Sequence, residues 1–517
     1  MKRSRMGTIL PIMSAAMLLA ACSGGASSTT PSVPSSTGTE TNTNTSTPGT
    51  GEYQPYFTDK DVNIALWTTA GETSQTILDD YIAQFNKIEP RIKITNNKIS
   101  GSYDDLKNQI ITGFSSDAYP DIAYCYPDHV AEYLYYGKAA KLDDYINDPY
   151  YGWSDEDLED IVPTFIEEGQ QYSAEGTYSV PFSKSTEAMF YNPVVIGLDL
   201  SAYDSTIGDN GVVTESYINN ITWEQMFEHL APALKKYNDD QPDKNKIYDA
   251  TDANSAIIGY DSDDNLFITL AKQYGYDYTS IDPVTGKGQI EFVNDGMKSL
   301  MKMLNKAAVD KLFVTKGKTG DYVNTLFTER KLLFSIGSTG GIDHQYSGAA
   351  RFVPSVAGVP QAGIENPTKA VMSQGPSMVI LNHPIGGGNS AVDKDRIMAS
   401  WLFYRFMVNE KNSTRWALNS TGYMPLRYSC YESAAYTNAA TETDKDGLEL
   451  LRARGMKYYQ TASDEMFTSP VFIGSSECRN QAGSIVTQVL QESAYITDEK
   501  LNSIFSTAYN EALAQIK

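Results

Sequence analysis

The chain has 517 residues, a formal net charge of −23 and a sequence pI near 4.6. Such acidity excludes binding DNA, RNA or an anionic membrane face through a bulk field, and leaves room only for a small anion held by local donors. A hydrophobic fraction of 41% and a charged fraction of 20% are globular, and the roughly 460 residues from Tyr56 onward exceed one ordinary core, so two lobes are expected.

Lys2, Arg3 and Arg5 open the chain, and an apolar stretch from Met6 to Ala21 follows. This is the layout of an export signal, too short for a spanning helix and interrupted by Pro11. Leu19-Ala20-Ala21-Cys22 resembles a bacterial lipobox, which implies cleavage before Cys22 and lipidation of its thiol. Each buried lipid CH₂ contributes roughly 0.8 kcal/mol, so two or three acyl chains would hold the protein firmly. No later apolar run approaches spanning length, so the protein is expected to be anchored rather than threaded. The Ser/Thr/Gly/Pro-rich segment after Cys22 has almost no large apolar residue and reads as a disordered tether with a mean reach of order 30 Å.

VNIALWTT (62–69) reads as a buried strand, and TILDDYIAQFNKIEP as a helix with Ile77, Tyr81, Phe85 and Ile88 on one face, stopped by Pro90. RIKIT alternates like a strand, YDDLKNQIITGF is a second helix and DIAYCY (121–126) a third strand. This alternation predicts an α/β fold with a parallel sheet covered on both faces. Ligands of such sheets bind in loops at the carboxyl ends of strands, which directs attention to Trp67-Thr68-Thr69 and Tyr126-Pro127-Asp128-His129. GTYSVPFSKSTEAMFYN holds a glycine turn, a short strand and a loop. ITWEQMFEHLAPALKKY is an amphipathic helix with Trp223 in the core. RKLLFSIGSTGG runs from a strand into a glycine-rich turn, SQGPSMVILN is a buried strand, and DRIMASWLFYRFMV is an apolar helix that packs Trp401 and Phe403.

Apart from Cys22 there are three cysteines, so one thiol is left over; Cys430–Cys478 is the pair to consider, and the absence of C-x-x-C removes zinc and thioredoxin-like chemistry. His129, His229, His344 and His383 lie at no paired ligand spacing, and G-x-S-x-G is absent. Gly317-Lys318-Thr319 mimics the end of a P-loop, but Leu312 stands where its glycine belongs, so a surface loop is expected. Asp261, Asp263 and Asn265 partly echo a calcium loop without its glycine. No metal and no cofactor is expected.

Several motifs follow one another in a telling order: the lipobox and tether, W-T-T after the first strand, Pro120-Asp121-Ile122, Pro181-Phe182 with Tyr191-Asn192, Thr222-Trp223-Glu224, Ser400-Trp401 with Phe403 and Phe406, and Thr421-Gly422-Tyr423-Met424-Pro425. In this the chain resembles the extracellular solute-binding proteins of the maltose-binding-like family, the capture subunits of ABC importers. The resemblance implies a monomer of the two-lobed periplasmic-binding-protein type, each lobe a mainly parallel sheet flanked by helices. It places the signal at 1–21, the lipidated cysteine and tether at 22–56, an N-terminal lobe at 57–182 and 340–388, and a C-terminal lobe at 183–339 and 389–517. The chain would cross near Pro181–Thr186, return near Gly337–Gly341 and cross again around Gly386–Asn389. Ligand contacts from both lobes would stabilise only the closed state, which the importer's permease subunits would recognise.

The sequence also resembles the glycerol-phosphate-binding branch. That resemblance implies ligand roles for Tyr126, Ser185, Ser338, Gly375, Tyr423 and Arg479, to which the strand-end loops add Trp67, Thr69 and Asp128. Tyr126 and Tyr423 would stack, the two serines would donate from the crossings, and Arg479 would meet an anion or a pair of sugar hydroxyls. Thr339 stands where many sugar-binding members carry tryptophan. The expected role is therefore a lipid-anchored, extracytoplasmic, non-enzymatic receptor for a carbohydrate-related solute, either a sugar or oligosaccharide or a glycerol-phosphate ester. The alternative is a lipid-anchored carbohydrate-active hydrolase, which would need two carboxylates converging in the cleft, roughly 5–10 Å apart.

Overall fold

A computed structural model describes residues 54–365, 367–385, 392–420 and 422–516. The export signal, Cys22 with nearly all of its tether, the expected crossing at Gly386–Asn389, and Thr421 lie outside the described residues.

The first five elements follow the expected alternation: β1 (Val62–Thr68), α1 (Glu72–Ile88), β2 (Ile92–Lys98), α2 (Tyr103–Gly113) and β3 (Ile122–Cys125). In α1 the apolar spacing buries Ile77, Leu78, Tyr81 and Phe85, and the Tyr81 hydroxyl donates to the Asn412 carbonyl at 2.7 Å. Ile88, expected on that face, is exposed because the helix ends there. Ser102 caps α2 reciprocally: its hydroxyl accepts from the Asp105 amide at 3.2 Å and the Asp105 carboxylate accepts from the Ser102 amide at 2.7 Å. Then come α3 (Pro127–Tyr135), β4 (Val180–Pro181), β5 (Glu187–Tyr191), β6 (Ile258–Tyr260), the hairpin β7 (Thr279–Ile281) and β8 (Gly288–Ile290), and β9 (Phe313–Thr315). They are followed by β10 (Phe334–Ser338), β11 (Ser355–Ala357), β12 (Val371–Met372), β13 (Ser377–Ile380) and β14 (Met466–Phe467).

Two five-stranded sheets organise two lobes, in the orders β2-β1-β3-β13-β4 and β11-β5-β10-β6-β9. Among the described residues both are mixed rather than mainly parallel. In the first, β1 pairs parallel with β2 and β3, whereas β13 runs antiparallel to β3 and β4. In the second, β6 pairs parallel with β10 and β9, whereas β5 runs antiparallel to β10 and β11. The antiparallel strands are those that arrive from the other lobe, so no βαβ crossover dictates their direction.

The chain leaves the first sheet after Pro181 and joins the second at Glu187. It does not return at 337–341. After β10 a short helical turn (Thr339–Gln345) leads to β11, which pairs with β5 in the second sheet, and the first sheet is regained only at β13. The strand at 355–357 therefore lies outside the N-terminal lobe to which 340–388 was assigned. The helices Lys394–Met407 and Glu410–Asn419, expected in the other lobe, pack on β1 and α1 of the first.

Trp401 and Trp223 are both fully buried, their indole N–H groups donating to the Tyr151 carbonyl at 2.8 Å and to Gln273 at 2.9 Å. The helix expected around Trp223 is interrupted: Gln225–Leu230 forms a π-type segment before a regular helix, Ala231–Asp240. Lys318 lies in a short helix, Lys316–Thr319, rather than a loop, and its ammonium donates to the Leu490 carbonyl. Cys430 and Cys478 do not pair; both are buried free thiols, as is Cys125, and the Cys430 thiol donates to the Glu410 carbonyl at 3.4 Å. Among the described residues no helix is long and apolar enough to cross a membrane.

Candidate functional site

The segment Lys184-Ser185-Thr186 knits the crossings together. Ser185 exchanges backbone hydrogen bonds with Gln374 at 2.9 and 2.8 Å, and the Thr186 carbonyl accepts from Thr339 at 2.8 Å. The Thr186 hydroxyl donates to the Met372 carbonyl at 2.9 Å, and the Lys184 carbonyl accepts from Met424 at 2.7 Å. Beneath it lies a buried ion pair: the Lys184 ammonium donates to Glu168 at 2.6 Å and to the Gly375 carbonyl at 3.1 Å. The Ser377 hydroxyl donates to the same Glu168 oxygen at 2.8 Å.

Gly375 adopts φ +83°, and a Cβ there would sit 1.9 Å from the Ser183 carbonyl oxygen. Its role is thus a tight backbone approach that holds the crossings in register. Gly375→Ala should lower stability by about 1–3 kcal/mol, read as a fall in the urea midpoint at constant m-value; an unchanged midpoint would contradict this packing.

Above the crossings a cavity of about 390 Å³ opens, lined from both sheets' lobes and from the crossing strands. The first lobe supplies Tyr103 and Asp104 from the first turn of α2, and Tyr126, Asp128 and His129 from the start of α3. Pro127 at the first position of α3 suits a helix start and fixes the turn after β3, which aims these side chains at the carboxyl end of the sheet. The second lobe supplies Asp264 and Asn265 from the helix Asp263–Tyr274, and Ser475 and Arg479 from the helix Ser475–Gln491. Ser373 and Gln374 come from the crossing.

The Tyr103 and Tyr126 rings meet edge to face with centroids 4.7 Å apart. Burial pushes the phenols of Tyr126, Tyr103 and Tyr423 above their ordinary range, with Tyr423 bearing on the other two. The His129 imidazole, joined by the Lys107 ammonium, holds the Asp104 carboxyl well below the usual carboxylate range. Burial works against the charge on Arg479, but Asp264 and then Asp128 outweigh it and keep the guanidinium firmly protonated. The Arg479 Nη2 donates to Asp264 at 2.6 Å and to the Asn265 side-chain carbonyl at 2.5 Å. Ser373 and Ser475, both buried, present hydroxyls with no intramolecular partner.

Of the residues expected from sequence, Tyr126, Asp128 and Arg479 line the cavity. Ser185, Ser338 and Tyr423 form a cluster at the crossings: the two serine hydroxyls lie 3.4 Å apart, and a Cβ on Gly340 would meet Ser338 Oγ and a Tyr423 ring carbon, each at 3.4 Å. Gly375 sits behind the cavity wall as backbone. Trp67 and Thr69 are not brought to the cavity. Trp67 packs at the end of β1 and lines a separate shallow groove with Asn108, Gln109 and Thr112, and Thr69 is half-buried just beyond the strand. Sequence reasoning missed Tyr103, Asp104, Asp264, Asn265 and Gln374. The Ser-x-x-Asp cap at 102–105 was the one available signal, since it marks a helix start at a strand's carboxyl end.

No curated protein sequence matches the chain. Among solved structures it is similar to a cyclic alpha-maltosyl-1,6-maltose binding protein from Arthrobacter globiformis, at 16% identity, 88% coverage of this chain and 98% of that one, and a TM-score of 0.62. It is similar to the sugar-binding protein MalE from Xanthomonas citri at 15% identity, with 88% and 98% coverage and a TM-score of 0.63. It is similar also to UgpB from Mycobacterium tuberculosis, whose structure holds glycerophosphocholine, at 15% identity, 88% and 98% coverage and a TM-score of 0.61. At these identities the likeness is one of fold. The sequence model of the bacterial extracellular solute-binding proteins, by contrast, matches residues 80–443, well over half of the chain, and the protein belongs to that family.

Proposed function

We propose that the protein is a lipid-anchored receptor that captures a carbohydrate-related solute, a sugar or oligosaccharide or a glycerol-phosphate ester, and delivers it to an ABC importer. The observation that carries this reading is a single cavity walled by Tyr126 and Asp128 from one lobe, Asn265 and Arg479 from the other, and Gln374 from the crossing between them. A solute touching all three would stabilise only the closed arrangement, so binding would shift the population toward closure. The cavity volume lies within the range of small-molecule sites. The structurally similar cyclic alpha-maltosyl-1,6-maltose binding protein and the glycerophosphocholine complex of UgpB support the solute class.

The test is a panel of sugars and glycerophosphodiesters offered to the full chain in detergent. One compound should compact the protein in solution scattering and, at 100-fold its dissociation constant, add roughly 2.7 kcal/mol of stability. A compound that emerged hydrolysed would move the reading to the hydrolase alternative. For the anchor, radiolabelled palmitate should enter the wild-type protein in cells and not Cys22→Ala; equal labelling would remove the lipid from the account.

A further inference from the structure

The charges of the cavity narrow the solute class, on the reading that this cavity is the capture site. Four carboxylates line it, from Asp104, Asp128, Glu168 and Asp264, against the one guanidinium of Arg479 and the imidazole of His129. Three of the four have close cationic partners: Glu168 with Lys184 at 2.6 Å, Asp264 with Arg479 at 2.6 Å, and Asp104 with Lys107 at 3.3 Å. Asp128 makes no hydrogen bond or ion pair of its own among the described residues, though its field adds to that on Arg479.

We propose that Asp128 makes the cavity selective for solutes that bring hydrogen-bond donors and no net negative charge, neutral saccharides and amine-bearing sugars, and turns phosphate monoesters away. An ionised carboxylate only accepts, so it is satisfied by sugar hydroxyls or an ammonium, while a phosphate dianion offers it nothing but repulsion. The residue that would compensate a phosphate already has its charge matched, because Arg479 Nη2 donates to the Asp264 carboxylate and to the Asn265 side-chain carbonyl. A phosphate drawn to this guanidinium would also approach the Asp264 carboxylate. The remaining polar lining suits a polyol. The hydroxyls of Ser373 and Ser475 are more than nine-tenths buried and unpartnered, and each can donate to or accept from a sugar hydroxyl. The Tyr103 and Tyr126 rings, met edge to face in the same wall, offer an aromatic surface to a sugar face or an ammonium.

The experiment is titration calorimetry on the full chain in detergent, using neutral trisaccharides of glucose and xylose, a glucosamine trisaccharide and glycerol 3-phosphate. A saccharide is expected to bind at least tenfold more tightly than glycerol 3-phosphate. Asp128→Asn should raise the glycerol 3-phosphate affinity at least tenfold and weaken the glucosamine trisaccharide more than the neutral ones. Should that variant fold poorly, a salt series on the unaltered protein reads the same charge. Added salt should then weaken glucosamine binding and strengthen phosphate binding. Glycerol 3-phosphate binding more tightly than every saccharide, or an Asp128→Asn affinity for it that does not move, overturns the inference and leaves the capture reading standing. Failure of every probe to bind removes both.

Discussion

Lys184→Met is expected to destabilise the protein by about 3–5 kcal/mol, the cost of leaving a buried charge without its partner. Lys184 is fully buried and Glu168 nearly so, and the Glu168 carboxylate would keep only the Ser377 hydroxyl once the ammonium is gone. The loss should not stay local. The same ammonium holds the Gly375 carbonyl, so the crossing at 374–376 loses a bond as well. Attraction between the charges is not what Lys184 adds; a pair taken out of water gains little net energy over an apolar substitute. The double variant Lys184→Met with Glu168→Gln should therefore regain most of the stability, because no uncompensated charge remains. Urea unfolding of the three proteins decides the matter. A single variant within 1 kcal/mol of wild type, or a double variant no better than the single, would show that the pair does not carry this load.

The first lobe was legible because its signals are local. β1, α1, β2, α2 and β3 each show the period of their own structure, and the rule that sites gather at strand carboxyl ends points to Tyr126 and Asp128, which line the cavity. Trp223 and Trp401 were identifiable as core from helical spacing alone. The crossings were harder. β4 and β12 have two residues each, too short for any period, and β11 joins the second sheet only through its pairing with β5, a contact that no neighbouring residue announces. The glycine-rich turn after β10 therefore looked like the return to the first lobe when it was a turn within the second. Resemblance points to Arg479, whereas its partners Asp264 and Asn265 stand more than two hundred positions earlier in the chain. Those two residues sat within a stretch that resembled a broken calcium loop. In the structure it is the start of a helix, where the Ser262 hydroxyl donates to Asp264 at 2.6 Å and the Asp261 carboxylate accepts from the Val323 amide at 3.0 Å. Burial can be read from composition and period, whereas the partner of a buried polar group cannot, because it is chosen by topology.

Such a partner choice gives the second large effect. Glu187 opens β5 opposite Ser338 and is almost wholly buried with no cation beside it. Its carboxylate accepts from the Tyr260 hydroxyl and from the Asn265 amide at 3.2 Å, while Asn265 in turn accepts from Arg479. Burial raises this carboxyl from the ordinary 4.5 to about 7, and the bonds from Tyr260 and Asn265 offset only part of that rise. Asp264 adds repulsion, and the Tyr458 hydroxyl reaches the Glu187 carbonyl from the other side. Between those two values the folded protein binds more protons than the unfolded chain, so stability falls as pH rises through the window. The full penalty, about 3 kcal/mol, is present above pH 7 and absent below 4.5. Glu187→Gln keeps an acceptor for Tyr260 and removes the titration. Its stability relative to wild type should climb by about 3 kcal/mol between pH 4.5 and pH 8. Because Asn265 links the carboxyl to Arg479, the same variant should flatten whatever dependence solute affinity has on pH near 7. Urea midpoints at both ends of the range test the first statement and calorimetry across it tests the second. A stability difference that stays constant with pH would mean that Glu187 is ionised in the folded protein throughout, and that it does not connect the core of the second lobe to the cavity.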